Sequence, residues 1–344
     1  MAKNITMSDL AKELHVSTVT VSKALANQRG VSREMKEQIL SLARERGYMK
    51  TEKVSGAVSS HTIGVIVAER YLAEAQSFYW KLYQELSQLA IARNCFTFLE
   101  VISPDTENRE ELPKIILDEK AEGLIVMGAF SKNYASYIAR EVSIPLLYLD
   151  TVPASERCDA VVSDNLTGGC LMTDYLFSLG HSDIGFVGTR LATTSIDDRF
   201  LGYIKSMMEH GRKIREEWII DDRARGGTVD PVHKLQLPEG NMPTAFFCNC
   251  DLAAYALIKK LALCGLRVPD DISVVGFDNY ITGEADGSKI TTYEIDMKEM
   301  AKRAVHTILH KIEDRGYSTG VFVLAGTFIE RMSAKKAGPP VPFA

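Results

Sequence analysis

Two groups of residues in this sequence have the types and spacing to do chemistry. The first is Thr18, Val19, Thr20, Ser22 and Lys23, small side chains with one cation in place of the Glu/Lys mixture of an ordinary surface helix. Side chains this short let a helix sink into a DNA major groove about 12 Å wide, where Lys23 reaches a base edge or a phosphate. The plainer reading is a well-capped helix start, and the residues alone weigh evenly between the two. The second group is Glu69, Arg70 and Tyr71, then Asp150, Asp251 and Asp278, each just after an apolar run, with Arg199 in their company. Carboxylates and a guanidinium offer paired acceptor and donor bonds to hydroxyls, and aromatic planes stack on a sugar ring. A single Asp at such a place more often caps the next helix; several at corresponding places describe a polar cleft.

The elements that must position these groups follow from the spacing. Thr6 stands before Leu10, Ala11 and Leu14 and has Asp9 three positions on; Ser17 stands before Val21, Ala24 and Leu25 and has Thr20 three positions on. That is two short capped helices joined by a tight turn. Met35, Ile39, Leu42 and Ala43 after Ser32, with Gly47 as the stop, predict a third helix and so a helix-turn-helix headpiece over residues 1–47. From Thr62 onward, apolar runs alternate with amphipathic helices. The runs at 63–67, 96–99, 123–127 and 145–149 form one set, and those at 184–188, 244–248 and 272–277 a second. Runs apolar on both faces imply parallel sheets under helices, which bind ligands off the carboxyl ends of their strands. The fold class is therefore α/β: a small all-α headpiece followed by two doubly wound parallel-sheet subdomains.

At 344 residues, 46% hydrophobic and 25% charged, the chain has material for two or three folding units and is not of disordered composition. Residues 1–60 carry a net charge of +4, whereas the whole chain carries −5, so positive charge gathers where phosphate would be met. Met1 to Asn4 lead into the first helix without an apolar run, which argues against a secretory signal, and no apolar stretch approaches the roughly 18 residues of a membrane span. Cytoplasmic localisation, with the chain associated with the nucleoid, is the expectation. The six cysteines are scattered and read as reduced buried thiols. Cys248 and Cys250 form the one close pair, and no His or second Cys pair follows at zinc spacing, so no metal is expected. Catalysis would need a nucleophile elbow, a phosphate loop or a metal spacing, and none is seen; no enzyme and no cofactor are expected. His15, His181, His210, His233 and His306 read as surface or helix-end residues.

From Ile5 to Tyr48 the register resembles the headpiece of the LacI/GalR family of bacterial transcription regulators almost without gaps. The resemblance implies that Thr18, Val19 and Lys23 lie in the major groove and that Thr6, Ser17, Thr20 and Tyr48 hold phosphates, with Met7, Ser22 and Asn27 completing the DNA-facing set. Lys23 stands where many members have Arg and lacks the bidentate fork used on guanine. Val162 to Gly169, Leu179 to Ile184, Ser195 to Tyr203, Gly265 to Asn279 and Ile290 to Tyr293 extend the resemblance to the family's effector core, similar to periplasmic sugar-binding proteins. It implies that Arg199, Asp251 and Asp278 bind effector hydroxyls, that Asp150 faces the cleft, and that Tyr71 and Phe78 line it, within the aromatic run Phe78, Tyr79 and Trp80. Cys250 replaces an expected Asn, which removes one amide from the site.

The expected organisation is a headpiece (1–47), a hinge (48–61), an effector core (62–331) and a tail (332–344). The core divides into one subdomain at about 62–161 plus 293–320 and another at about 162–292 plus 321–331, so closure is a hinge rotation. In the family the hinge wedges a Leu into the minor groove; here no Leu lies between Met49 and His61, and Val54 and Val58 are the wedge candidates. The implied partners are a pseudopalindromic double-stranded DNA operator, a small-molecule effector of sugar type, and a second copy in a homodimer, without a membrane. The implied function is a repressor of carbohydrate-utilisation genes released by its sugar. The alternative is a global carbon-catabolite or purine-type regulator whose DNA binding is enhanced by a corepressor or a phosphorylated carrier protein.

Overall fold

Three short helices, α1 (Met7–Glu13), α2 (Thr18–Leu25) and α3 (Arg33–Glu45), open the computed structural model. It describes residues 6–25, 31–46, 60–72, 77–153, 158–223, 235–281, 289–313 and 319–338, and the chain divides into two units, Met1–Ser59 and Ser60–Ala344. Thr6 and Asp9 form a reciprocal capping box: Asp9 N donates to Thr6 Oγ1 at 3.3 Å and Thr6 N to Asp9 Oδ2 at 2.9 Å. His15 takes a left-handed φ of 52° in the tight turn, a conformation uncommon outside glycine. Leu10, Ala11, Val21, Ala24, Ile39 and Ala43 bury into one small core, so each helix contributes the face its spacing announced.

The second unit holds two parallel sheets. Strands β1 (Thr62–Ala68), β2 (Phe96–Ile102), β3 (Gly123–Met127), β4 (Leu146–Leu149) and β5 (Ala160–Ser163) are joined through α4 (Phe78–Ile91), the short α5 (Pro104–Asn108) and α6 (Lys114–Leu117), and α7 (Lys132–Glu141). The chain crosses to α8 (Asn165–Ser178), β6 (Ile184–Val187), α9 (Thr194–Glu209), β7 (Ile219–Ile220), β8 (Ala245–Cys248), α10 (Asp251–Leu263) and β9 (Ser273–Val275). It returns by β10 (Thr292–Glu294) to α11 (Met297–Glu313) and β11 (Val321–Leu324), and β12 (Thr327–Ile329) pairs antiparallel with β10. Spatial orders are β11-β5-β4-β3-β1-β2 and β7-β6-β8-β9, every pairing parallel. β3 and β6 are buried along their whole length, as strands covered on both faces must be. β2 is an edge strand instead, with Phe96 and Phe98 exposed.

Three crossings link the sheets, and one lies elsewhere than expected. Val321–Leu324 pairs with β5 in the first sheet, so the third crossing falls after Leu324 and this strand belongs with the first subdomain rather than the second. The alternation of exposed and half-buried residues along β11 hides it from a search for fully apolar runs. At this crossing Gly326 N donates to the Tyr293 hydroxyl at 2.7 Å, and a Cβ on Gly326 would stand 2.2 Å from Glu294 O. His181 is also not at the surface: buried, its ring lies 2.9 Å from Thr244 Oγ1 and 3.0 Å from Ser273 Oγ, tying α8 to the second sheet.

Candidate DNA-reading helix and effector cleft

On α2, Val21 and Ala24 are buried while Thr18, Val19, Ser22 and Lys23 are exposed, with Val19 at 60% relative exposure. A thymine methyl is one partner on which the exposed Val19 side chain would pack. Thr20 is half-buried, and Ser17 Oγ accepts its backbone N–H at 3.0 Å and lies 2.8 Å from its hydroxyl. Ser17 and Thr6 thus both cap helices, while Met7 is exposed beside Thr6. Asn27, Tyr48, Val54 and Val58 lie outside the described residues.

In the second unit, residues just past the strand ends meet across the two subdomains. Asp150 follows β4 with a left-handed φ of 62°, and its buried Oδ2 accepts the Tyr79 hydroxyl at 2.8 Å while Oδ1 has no partner. Burial raises its carboxyl and Arg199, from the other subdomain, pulls it back. Arg199 is held on α9 by Asn165 Oδ1, which accepts Nε at 2.8 Å, and by Asn249 O, which accepts Nη1 at 2.6 Å; its guanidinium lies 4.0 Å from the Phe277 ring centroid. The close approach of α8 that presents Asn165 needs Gly169, where a Cβ would stand 2.4 Å from Arg199 O. Asp278, at a φ of 86° beyond β9, accepts Tyr280 N at 3.0 Å. Desolvation pushes its carboxyl up to about 7, against the pull of Arg199. Tyr280 then bridges the subdomains, its hydroxyl donating to Ser77 O at 3.1 Å and its ring 5.9 Å from Phe78.

Of the six residues expected in the cleft, five are joined by contacts across it, and Asp251 lies buried directly behind Asp278, whose carboxyl accepts its backbone N–H. Asp251 is 1% exposed at the start of α10, packed so closely on Gly276 that a Cβ there would stand 2.0 Å from Oδ1. Burial and the neighbouring Asp278 raise it well above the ordinary carboxylate range, with Thr292 and Arg331 pulling the other way. Its Oδ1, like that of Asp150, is buried without a hydrogen-bond partner. Trp80 turns outward against Tyr83, while Tyr79 and Phe78 turn inward, Tyr79 with its ring 4.6 Å from Tyr71. Cys250 caps α10, its sulfur 3.4 Å from Ala253 N and 3.6 Å from Arg223 Nη2. Asn249 is committed internally, donating Nδ2 to Val187 O at 3.0 Å and to Asp222 Oδ2 at 2.8 Å. Cys248 and Cys250 belong to no metal-ligand grouping among the described residues; Cys170, Asp174 and Glu209 do come together, and Lys205 already bonds Glu209 there.

Sequence reasoning carried Tyr79 only within the aromatic run and passed over Asn165, Arg223 and Tyr280 as site residues. Asn165 and Tyr280 stood inside stretches read as landmarks or next to Asp278. Arg223 follows a strand of two residues, too short to signal a strand end.

Residues 6–50 match bacterial regulatory proteins of the lacI family, and residues 173–334 match a periplasmic binding protein-like domain. The chain therefore pairs a lacI-type regulatory segment with a periplasmic binding protein-like domain. Proteins with this pairing of segments are DNA-binding transcription regulators, a kind not known as enzymes. The chain is 27% identical over 339 residues to the HTH-type transcriptional repressor PurR of Pasteurella multocida, covering 96% of this chain and 98% of that one. It is 28% identical over 346 residues to the PurR of Histophilus somni, covering 96% and 99%. Among solved structures, a lac repressor dimer bound to operator and the anti-inducer ONPF shares the fold at a TM-score of 0.67 and 19% identity, covering 97% of this chain and 100% of that one. A CelR–cellobiose complex does so at 0.67 and 18%, covering 96% and 99%. Among the described residues no helix is long and apolar enough to cross a membrane.

Proposed function

We propose that this regulator is a repressor of carbohydrate-utilisation genes, released from its operator when a sugar or oligosaccharide binds between the core subdomains. The carrying observation is the pair Asp150 and Arg199. A buried carboxylate oxygen without a partner and a guanidinium whose Nη2 has none among the described residues act on each other across the subdomain boundary. Acceptor and donor in such opposition suit neighbouring hydroxyls of a sugar, with Asp278 as a further acceptor and Phe78, Tyr71 and Tyr280 as apolar walls.

The working unit is a homodimer in the bacterial cytoplasm whose two α2 helices enter successive major grooves of a pseudopalindrome, about 34 Å apart. Sugar-driven rotation of the subdomains changes that spacing, with a coupling of roughly 1–3 kcal/mol typical of such linkage. A thermal-shift screen of mono- and oligosaccharides, followed by gel shift of the best hit on the gene's own upstream DNA, tests this. Stabilisation by a sugar that also weakens the DNA complex is expected; a chain that ignores every sugar and every upstream fragment refutes it.

A purine corepressor is the second reading. It is favoured by the full-length similarity to repressors named PurR, and by the cluster of Tyr71, Tyr79, Phe78 and Tyr280, which offers rings against which a flat base packs. Calorimetry with hypoxanthine separates the two.

A further inference from the structure

The first sheet carries a second concavity, at the end opposite the effector cleft. Around the amino ends of β3, β4 and β5 lies a cavity of about 950 Å³, within the roughly 300–1,000 Å³ usual for small-molecule sites. These strands pair in parallel, so their carboxyl ends, and Asp150 with them, lie on the far side of the sheet. The cavity wall takes Val142 and Ile144 from the turn after α7, Tyr148 from β4, Cys158 from the approach to β5, and Ile312 from α11.

Tyr148 is the side chain of this wall that the rest of the chain does not serve. It is 2% exposed, and its hydroxyl is buried without a hydrogen-bond partner. The two carboxylates of the wall are committed elsewhere. Asp159 is held by Lys311 and accepts Gly320 N at 2.8 Å, and Glu122 is engaged by the His61 ring. An unbonded buried donor is costly, and an acceptor oxygen brought in through the cavity removes that cost. Charge narrows the choice further. Lys311 is the one cation of the described wall, set against the carboxylates of Glu122 and Asp159, so a negatively charged ligand is disfavoured. A neutral carbonyl meets both conditions.

We propose that this cavity is a second small-molecule site, for a neutral compound whose carbonyl oxygen accepts the Tyr148 hydroxyl while Val142, Ile144 and Ile312 cover its apolar part. It is separate from the effector cleft and independent of the sugar reading.

An NMR titration of the full chain tests it with benzamide, benzoate and toluene, three probes of nearly one shape. Benzamide, with a neutral carbonyl, is expected to bind at least about fivefold tighter than the charged or the oxygen-free probe. Tyr148→Phe deletes only an unbonded hydroxyl and should bring benzamide down to the level of toluene. Ala139→Trp, at an exposed position of the same wall, should fill the cavity and abolish binding of all three. Alkylation read peptide by peptide locates the site: bound benzamide slows reaction of Cys158 and leaves the exposed Cys264 unchanged. Should Tyr148→Phe not fold, Ala139→Trp and the Cys158 protection decide. Benzoate or toluene binding as well as benzamide, benzamide unaffected by both variants, benzamide that binds without shielding Cys158, or silence from all three probes each overturns the proposal.

Discussion

The Tyr79 hydroxyl donates to one oxygen of Asp150 at 2.8 Å and leaves the other oxygen buried with nothing to bond. Half of this carboxylate therefore serves the fold, and half faces the cleft. Tyr79→Phe should cost about 1.5–3 kcal/mol of core stability, the range for a hydrogen bond to a charged group, read as a lower urea midpoint. It should also weaken effector binding, because Asp150 is pushed further towards its neutral form. A variant as stable as wild type would show the bond to be idle.

The exposed face of α2 predicts separable effects. Lys23→Ala should lower specific DNA affinity by about 1–3 kcal/mol and leave thermal unfolding and effector binding unchanged. Ser17→Ala, which removes the cap on Thr20 N, should instead destabilise the headpiece by about 0.5–2 kcal/mol and weaken DNA binding as a consequence. Gel shifts paired with melting curves distinguish them; a Lys23→Ala protein that melts early would deny this side chain a purely external role.

Asp278 gives a pH prediction with a definite sign. Its carboxyl stands at about 7 in the folded chain against 3.8 ordinarily, so between those values the folded form keeps a proton that the unfolded form releases. The contribution is complete below pH 4 and disappears as pH rises through 7. Melting temperature in the core transition should therefore fall between about pH 4 and 7, and Asp278→Asn should flatten that fall. Parallel pH profiles for the two proteins would remove Asp278 from the account.

Lys311, on α11, holds the wholly buried Asp159 beside β5 and also donates to Leu146 O at 2.7 Å. Lys311→Met should cost about 3–5 kcal/mol by stranding the Asp159 charge, and the double variant Asp159→Leu/Lys311→Met should recover much of it. Chemical denaturation of the four proteins measures the coupling directly.

Much of this was legible beforehand because the signals were local. Ser17 and Thr20 announce a helix start by their own spacing, and Ile63 to Val67 or Gly123 to Met127 announce buried strands by composition. The cleft was legible to the extent that ligand residues follow such strands, which placed Asp150 and Asp278. Asp251 obeys the same rule yet faces inward, because whether a strand-end carboxylate points at the ligand or at Gly276 is settled by packing from a segment distant in sequence. Arg223 escaped notice because the strand before it is only two residues long and gives no apolar run to follow. Val321–Leu324 escaped because a half-exposed edge strand alternates.

The contact between Gly326 and the Tyr293 hydroxyl closes the end of the β10–β12 ladder that fastens the two returning segments. Halves riveted there are free to pivot but not to slide. A side chain forced in at 326 would therefore stiffen or loosen the pivot without touching either end of the molecule, and under the proposed induction the foreseeable phenotype is a deaf repressor: it grips its promoter, takes up its effector, and fails to let go.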